Sequence, residues 1–181
     1  DMEIQSTPIE GLKIIKPDVF FDNRGYFYES YSEKKFFDIG ITDKFVQDNE
    51  SKSQKGVVRG LHFQNPPYFQ AKLIRVIKGE VLDVAVDLRK NSKTYGQHFK
   101  VILNEDNKLM FYIPKGFAHG FLTLKDNTIF SYKCDEFYNK QSEGGIMWND
   151  SSLGINWGID NPITSEKDQH YVSFKDFVSP F

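Results

Sequence analysis

Between residues 57 and 134 the chain alternates apolar and polar positions in short runs, which is the pattern of β-strands. The segment KLIRVIKGEVLDVAVDL has a β-branched run on each side of Lys78-Gly79-Glu80, which predicts a hairpin at Gly79. The same pattern recurs around turns at 104–107 and 125–127, before NKLMFYIP and TIFSYKC respectively. Short strands at regular spacing with polar turns predict an antiparallel sandwich or barrel rather than βαβ units.

Few segments have helical character. SEKKFFDIG predicts one short helix, with Ser32 as its N-cap and Gly40 as its C-terminal stop. The tail from Asn139 onward is richer in Gly, Ser and Asn, which predicts loops with one or two short helices, TSEKDQHY being one candidate. We find no repeat, low-complexity block or linker, so we expect a single β-dominated domain over residues 1–181.

Composition narrows the classes of partner. The 181 residues carry a formal net charge of −2, which argues against general binding to nucleic acid or to an anionic membrane. No run approaches the roughly 18 apolar residues of a membrane span, and no signal-peptide pattern opens the chain. Cys134 is the only cysteine, so the chain cannot form an internal disulfide, as is typical of proteins in a reducing compartment. We therefore expect a cytoplasmic protein in which Asp1, standing before Met2, is a cloning remnant.

The stretch IPKGFAHGF has the spacing P-x-G-x-x-H, in which the histidine is His119. This spacing resembles the second motif of the cupin barrels. Many cupins bind a metal with this histidine, two more from an H-x-H pair, and a glutamate. Here His62 is followed by Phe63 and Gln64, so the H-x-H pair is missing. On ligand count we expect a barrel without a three-histidine metal site.

The strand VVRGLHFQN places Arg59 and His62 close together in an otherwise apolar run. Histidine is a common general base, and a carboxylate on its second ring nitrogen would fix its tautomer. Asp168 is the candidate for that carboxylate, although spacing alone does not bring it to His62. From the residues alone, a packed or surface histidine without a catalytic role explains His62 equally well.

Arg59 and His62 are three positions apart, so a regular strand would point them to opposite faces. A bulge at Gly60 would re-aim one of them toward the other. Alternatively, Arg59 reaches a ligand from the end of the strand.

Several other polar residues are not specific when taken singly. Tyr132 shares one strand face with Phe130 and Cys134, and such a residue is ordinarily a packed aromatic with its hydroxyl at the rim. The remaining candidates of this kind would ordinarily be packed aromatics, solvated flanks or surface charges: Tyr138, Lys72, Arg24 and Glu29.

Taken together, these segments resemble the dTDP-4-dehydrorhamnose 3,5-epimerase (dTDP-4-keto-6-deoxyglucose 3,5-epimerase) family over nearly the whole chain. The matching stretches come in the family's order and spacing: DNRGYFYES, FVQDNESKS, GVVRGLHFQ, QAKLIRVIKGEVLDVAVDLRKNS, IPKGFAHGF, YKCDEFYNKQSEGGI, WNDSSLGINW and PITSEKD. The resemblance implies a cupin-type jelly-roll barrel and a homodimer in which an N-terminal strand reaches across to the partner. It also implies a reaction that needs neither metal nor cofactor.

The resemblance further implies a role for each matching residue. The catalytic group is His62 as general base, Asp168 as its orienting carboxylate, Tyr132 as the acid on the opposite face, and Lys72 beside the C4 carbonyl oxygen. Tyr138 matches the aromatic that stacks on the thymine ring. The other substrate-contacting positions are Arg24, Glu29, Gln47, Asp48, Asn49, Arg59, His119, Glu143 and Lys167.

The implied reaction inverts C3 and C5 of dTDP-4-dehydro-6-deoxy-D-glucose through enolates and gives dTDP-4-dehydro-L-rhamnose, for dTDP-L-rhamnose biosynthesis. One alternative is a 3-epimerase or 5-epimerase that inverts a single carbon of a related nucleotide 4-keto-6-deoxysugar. A second is a ketoisomerase that moves the carbonyl from C4 to C3. A third is a non-catalytic sugar-nucleotide binding barrel, which could dispense with His62 and Tyr132.

Overall fold

A computed structural model describes every residue from Asp1 to Phe181, and most of its regular structure is β-strand. The strands are β1 (Glu3–Ser6), β2 (Lys13–Lys16), β3 (Phe20–Asp22), β4 (Gly25–Phe27), β5 (Gln47–Ser53), β6 (Val58–Gln64), β7 (Lys72–Lys78), β8 (Glu80–Asp87), β9 (His98–Asn104), β10 (Met110–Ile113), β11 (Phe117–Thr123), β12 (Thr128–Cys134) and β13 (Glu143–Gly145). The helices are α1 (Glu33–Asp38) and short 3-10 turns at Lys140–Ser142, Ser151–Leu153 and Lys167–Gln169. None of these helices has the length and apolar character needed to span a membrane.

Two antiparallel sheets form the body of the molecule. The first has the strand order β1-β2-β10-β7-β12-β5, and the second has the order β13-β6-β11-β8-β9. Strands β3 and β4 form a separate two-stranded hairpin. This arrangement is the cupin-type jelly-roll barrel, which confirms the fold class predicted from the spacing of short strands and polar turns.

The main core lies between the two sheets. The alternating apolar positions of each strand turn inward, and the buried side chains that meet there are Ile74, Val76, Phe111 and Phe130 from the first sheet and Val81, Ala85, Leu103, Phe117 and Phe121 from the second. The rings of Phe121 and Phe130 stack across the sheets with centroids 4.1 Å apart. Aromatic pairs of this kind contribute about 0.5–1.5 kcal/mol beyond the area they bury.

The hairpin predicted at Gly79 is wrong. Strand β7 ends just before Gly79 and pairs with β10 and β12, whereas β8 begins just after it and pairs with β9 and β11. The turns at 104–107 and 125–127 likewise join strands of opposite sheets. An arch between sheets and a hairpin within a sheet both place a polar turn between two β-runs, so the local pattern does not separate them. Here both arms of the arch, for example Val76 and Val81, bury side chains in the same core.

Both predicted helical segments are confirmed. Helix α1 begins after Ser32, whose side-chain oxygen accepts a hydrogen bond from the Lys35 backbone N–H. It buries Phe36, and Gly40 follows its end with a φ of +89°, a conformation that favours glycine. The segment TSEKDQHY contains the 3-10 turn at Lys167–Gln169.

Candidate active site

A cavity of about 530 Å³ is lined by residues of both sheets and of the segment 163–168. Strands β5, β7 and β12 contribute from one sheet, and β6 and β11 contribute from the other. The sequence-predicted site residues that line it are Asn49, Arg59, His62, Lys72, His119, Tyr132, Lys167 and Asp168. Residues scattered over 120 positions of sequence therefore meet in one cavity.

His62 and Asp168 form a hydrogen-bonded pair in the wall of this cavity. The His62 Nε2 and Asp168 Oδ1 atoms are 2.6 Å apart, and the Gly60 N–H donates to Asp168 Oδ2 at 3.1 Å. The Asp168 side chain is only 4% exposed, whereas that of His62 is 38% exposed. Burial raises the pKa of the Asp168 carboxyl, but its hydrogen bonds and the nearby positive charges outweigh that effect and hold the pKa below its usual range. Asp168 is therefore an ionised hydrogen-bond partner of the His62 imidazole.

Asp168 reaches His62 because a distant segment runs beside the start of β6. Ile163 forms a parallel bridge with Val57, and the Val58 N–H donates to the Ile163 carbonyl at 2.9 Å. Just before the short turn that follows, the Ser165 hydroxyl accepts a hydrogen bond from the Asp168 N–H at 3.1 Å. Together these contacts place the Asp168 carboxylate beside the His62 ring.

Of the two arrangements that the sequence left open for Arg59 and His62, the structure has the bulge at Gly60. On the paired strands β6 and β11, His62 lies opposite His119 and Arg59 lies opposite Phe121, with a register shift between them. Two residues of β6 therefore span the interval that Gly120 alone spans on β11. As a result Arg59 and His62, three positions apart, both line the cavity.

We expect Gly60→Ala to destabilise the fold by about 2–5 kcal/mol, the sum of overpacking and positive-φ costs. Gly60 has a φ of +126°, and a Cβ built there would lie 2.6 Å from the Gly120 Cα and 2.7 Å from the His119 carbonyl oxygen. Neither backbone atom can move without breaking the β6–β11 ladder. Urea unfolding of the wild type and the variant measures the difference.

Gly158→Ala is the matched control for this prediction. Gly158 has a φ of +75° but nothing lies within 4 Å of the added Cβ. The variant therefore has the strain of a side chain at positive φ but no steric clash, and we expect it to lose clearly less stability than Gly60→Ala. Equal losses in the two variants would show that the close approach of β6 and β11 is not what requires glycine at position 60.

Tyr132 and Lys72 stand on the sheet opposite His62. Tyr132 is on β12 and Lys72 begins β7, both in the first sheet, whereas His62 is on β6 in the second. The Lys72 ammonium lies 5.6 Å from the centroid of the Tyr132 ring. Burial raises the pKa of the Tyr132 phenol, so it is a protonated acid at neutral pH. An imidazole and a protonated phenol thus face one cavity from opposite walls.

A second histidine–carboxylate pair lies deeper in the same wall. His119 Nε2 and Asp83 Oδ2 are 2.9 Å apart, and both side chains are almost fully buried. The sequence interpretation missed Asp83, although a carboxylate inside the apolar run EVLDVAVD was the pattern that could have revealed it. Phe121, which also lines the cavity, was missed too, and its position two residues after His119 on the same strand face was the available pattern. No cluster of three or more His, Cys, Asp or Glu side chains is arranged to hold a metal ion.

The rim of the cavity is polar. The Arg59 Nε donates to Ser53 Oγ at 2.9 Å, which holds the guanidinium along the edge of the site. The Lys167 ammonium pairs with Glu143 at 3.0 Å. Tyr138 is 55% exposed, and its backbone N–H is held at 3.1 Å by Gln47, whose amide in turn donates to Asn49 at 3.0 Å.

Three of the sequence-predicted site residues lie away from the cavity in this chain. Arg24 is on the β3–β4 hairpin, where it pairs with Asp22. Glu29 pairs with Lys35 at 2.8 Å, and Asp48 pairs with Lys133 at 2.9 Å on the other side of the first sheet; both contacts are solvent-exposed. The fold of one chain does not bring these side chains to His62.

Comparison with known proteins shows the family of this chain. Residues 6–176 match the family model described as dTDP-4-dehydrorhamnose 3,5-epimerase. The chain belongs to this epimerase family. It is 50% identical over 173 residues to the dTDP-4-dehydrorhamnose 3,5-epimerase of Methanothermobacter thermautotrophicus, covering 94% of this chain and 93% of the relative.

Solved structures of the same family share the fold. The dTDP-4-dehydrorhamnose 3,5-epimerase of Elizabethkingia anophelis is 54% identical, with a TM-score of 0.92 and 97% of each chain covered. The dTDP-6-deoxy-D-glucose-3,5-epimerase of Legionella pneumophila is 50% identical, with a TM-score of 0.89 and coverage of 93% of this chain and 90% of that one. That relative was solved in complex with dTDP-4-keto-L-rhamnose.

Proposed function

We propose that this chain epimerises C3 and C5 of dTDP-4-dehydro-6-deoxy-D-glucose and releases dTDP-4-dehydro-L-rhamnose. The observation that carries the proposal is the placement of His62 and Tyr132 on opposite walls of one cavity, in a member of the 3,5-epimerase family. Inversion at carbon needs a proton to leave one face and another to arrive on the opposite face. A single base would return the proton to the face it came from.

His62 is the proposed base. Its Nε2 is committed to Asp168, so Nδ1 is the nitrogen that takes the proton from carbon. Asp168 then stabilises the imidazolium that forms. In the chair of the substrate the C3–H and C5–H bonds are axial on the same face, so one base serves both carbons in turn.

Lys72 is the proposed electrophile. A C–H beside a ketone is acidic because its anion is an enolate, with negative charge on the C4 oxygen. A fixed cation at that oxygen, in a site shielded from water, stabilises the charge as it develops. Lys72 is almost fully buried beside Tyr132, which suits this task.

Tyr132 is the proposed acid. Its phenol delivers a proton to the enolate carbon on the face opposite His62, and the resulting phenolate regains a proton from solvent. The imidazolium of His62 returns its proton to solvent as well. Each inversion thus exchanges one carbon-bound hydrogen for one from water.

Arg59 and Lys167 are the proposed ligands of the diphosphate. Arginine suits this position because its planar fork donates two parallel hydrogen bonds to phosphate oxygens. Tyr138, exposed at the rim, is the proposed stacking surface for thymine. Asn49, Gln47 and Glu143 are proposed to contact the sugar nucleotide beside it.

We also propose that the enzyme is a homodimer in which the β3–β4 hairpin completes the partner's cavity. Four aromatic side chains of the hairpin are 56–73% exposed in one chain: Phe20, Phe21, Tyr26 and Phe27. An exposed aromatic cluster of this kind is typical of an interaction surface. Arg24 and Glu29, which are away from their own cavity, would then contact substrate in the partner's.

Mixing two impaired variants tests the shared site. We expect His62→Ala and Arg24→Ala homodimers to be weakly active when separate. After subunit exchange, each mixed dimer holds one cavity with His62 of one chain and Arg24 of the other, so activity should return to about a quarter of the wild-type value. Absence of recovery, with exchange verified by native mass spectrometry, would contradict the contribution of Arg24 to the partner's site.

The configuration of the product separates the proposed function from its alternatives. Incubation with dTDP-4-dehydro-6-deoxy-D-glucose followed by proton NMR should show a 4-keto sugar inverted at both C3 and C5. A single-carbon epimerase gives a product inverted at one centre, and a ketoisomerase gives a 3-keto sugar. A binding barrel leaves the substrate unchanged.

A further inference from the structure

Tyr171 lies beside the proposed base and outside the cavity. Its ring and that of His62 have centroids 5.8 Å apart and an interplanar angle of 68°, which is an edge-to-face contact. Tyr171 comes two residues after the short turn that carries Asp168, but it is not among the residues that line the cavity. His62 is thus in contact with a carboxylate and with an aromatic ring, and the mechanism above uses only the carboxylate.

The surrounding backbone holds the Tyr171 ring at this place. The next residue, Val172, accepts a hydrogen bond at its carbonyl from the Met147 N–H at 2.9 Å. Strand β13 brings Gly145 opposite His62 on β6, and a Cβ built at Gly145 would lie 2.7 Å from the Tyr171 Cε2 atom. Because position 145 has no side chain, the Tyr171 ring can pack down beside the histidine.

The hydrogen bond to Asp168 does not by itself fix the plane of the His62 imidazole. It is the only side-chain hydrogen bond of His62, it is made through Nε2, and the side chain is partly exposed. The ring can therefore rock about its Cβ–Cγ bond while Nε2 stays within reach of the carboxylate. Each such rotation turns Nδ1, the proposed proton acceptor, away from its original direction. A second ring packed against the imidazole restricts this rotation, because close-packed side chains leave little room to move.

Resting on the proposed function, we propose that Tyr171 is a positioning residue whose ring holds the His62 imidazole at the angle that aims Nδ1 into the cavity. Asp168 fixes the tautomer of the base, and Tyr171 fixes the plane of its ring. Tyr171 does not line the cavity, so it acts on the reaction only through His62. Misplacing a reacting group by about 1 Å can cost about 10²-fold in rate. Loss of the Tyr171 ring should therefore slow proton removal without weakening the binding of the nucleotide.

The first test compares two substitutions of Tyr171. We expect Tyr171→Ala to lower kcat by about ten-fold to a hundred-fold, with KM and the Kd for dTDP within about two-fold of the wild-type values. Tyr171→Phe keeps the ring and removes only the hydroxyl, so it should keep the wild-type kcat. Steady-state kinetics and calorimetric titration with dTDP measure these quantities. A wild-type kcat in Tyr171→Ala, or an equal loss in Tyr171→Phe, would overturn the proposal.

Tyr95→Ala is the matched control. Tyr95 is partly buried like Tyr171 and also contacts an aromatic ring, that of Phe174, at a centroid distance of 5.3 Å, but it lies away from the cavity. We expect this variant to lose stability and to keep the wild-type kcat. If Tyr95→Ala and Tyr171→Ala lost kcat equally, the cause would be a general loosening of the fold, and the proposal would be wrong.

A double-mutant cycle with His62 separates positioning from general packing. His62→Ala has no imidazole left to orient, so adding Tyr171→Ala should change its residual turnover by less than about two-fold. A further fall as large as the one in the wild-type background would overturn the proposal. If Tyr171→Ala does not fold, Tyr171→Leu replaces it in every comparison, because leucine fills much of the space without a flat ring. Wild-type protein with no turnover would overturn the proposed function itself, and this proposal with it.

Discussion

His62→Ala lowers the rate of epimerisation by about 10²–10⁴-fold, the usual contribution of a positioned general base. The variant loses the only side chain that can accept the carbon-bound proton while hydrogen-bonded to Asp168. Its affinity for dTDP should stay close to that of the wild type, because the nucleotide is proposed to bind at Arg59, Lys167 and Tyr138. Steady-state kinetics and calorimetric titration with dTDP measure the two quantities separately.

His170→Ala is the control for this prediction. His170 is an exposed histidine that pairs with Glu166 on the surface, and it does not line the cavity. We expect wild-type turnover from it. If His62→Ala retained full turnover, the base would have to be another group. The proposal that His62 and Tyr132 transfer protons on opposite faces of the sugar would then be wrong.

Tyr132→Phe produces a different failure, in which proton removal continues but inversion stops. His62 still takes a proton from carbon and can return a solvent proton to the same face. We therefore expect the epimerised product to fall by about 10²–10⁴-fold, the usual contribution of a positioned acid, while the unreacted substrate still gains deuterium in D₂O. Mass spectrometry of recovered substrate and NMR of product measure both effects.

Tyr112→Phe serves as the control for Tyr132→Phe. Tyr112 is a buried tyrosine whose hydroxyl bonds to Asp43 outside the cavity, so its loss should lower stability without changing the product. Normal inversion by Tyr132→Phe would contradict its role as acid. If the variant lost both the deuterium exchange and the inversion, Tyr132 would also be needed to remove the proton.

The strands could be read from the sequence, but their partners could not. Alternation in KLIRVIKGEVLDVAVDL correctly predicts β7 and β8 on either side of Gly79. Pairing depends on where distant strands lie, and β7 takes β10 and β12 as neighbours instead of β8. A turn of the same composition occurs in hairpins and in arches between sheets, so the local pattern could not exclude the hairpin at Gly79.

The site was predictable as a set of residue types and only partly as a geometry. Strand parity offered two arrangements, a bulge at Gly60 or an Arg59 that reaches the ligand from the strand end, and the register shift between β6 and β11 shows the bulge. The contact between His62 and Asp168 could not be read from spacing, since it depends on the bridge between Ile163 and Val57. The cytoplasmic location, the dimer and the roles of the individual residues stay predictions.

Two further residues show other limits of reading one sequence. The family resemblance named Arg24 as a substrate contact, yet this chain holds it on a hairpin away from its own cavity. The sequence pattern of one chain does not indicate which residues would contact a second chain. Asp83 was overlooked because a single carboxylate in an apolar strand has no spacing partner, although its side chain is hydrogen-bonded to His119, which lines the cavity.

Counting deuterium in the product tests the central claim most directly. The enzyme is incubated with dTDP-4-dehydro-6-deoxy-D-glucose in D₂O, and the product is examined by mass spectrometry and NMR. Two enolates, each protonated from the face opposite His62, predict a product with solvent deuterium at both C3 and C5. A product that carries deuterium at one carbon only, or that is inverted while keeping its original hydrogens, would contradict this mechanism.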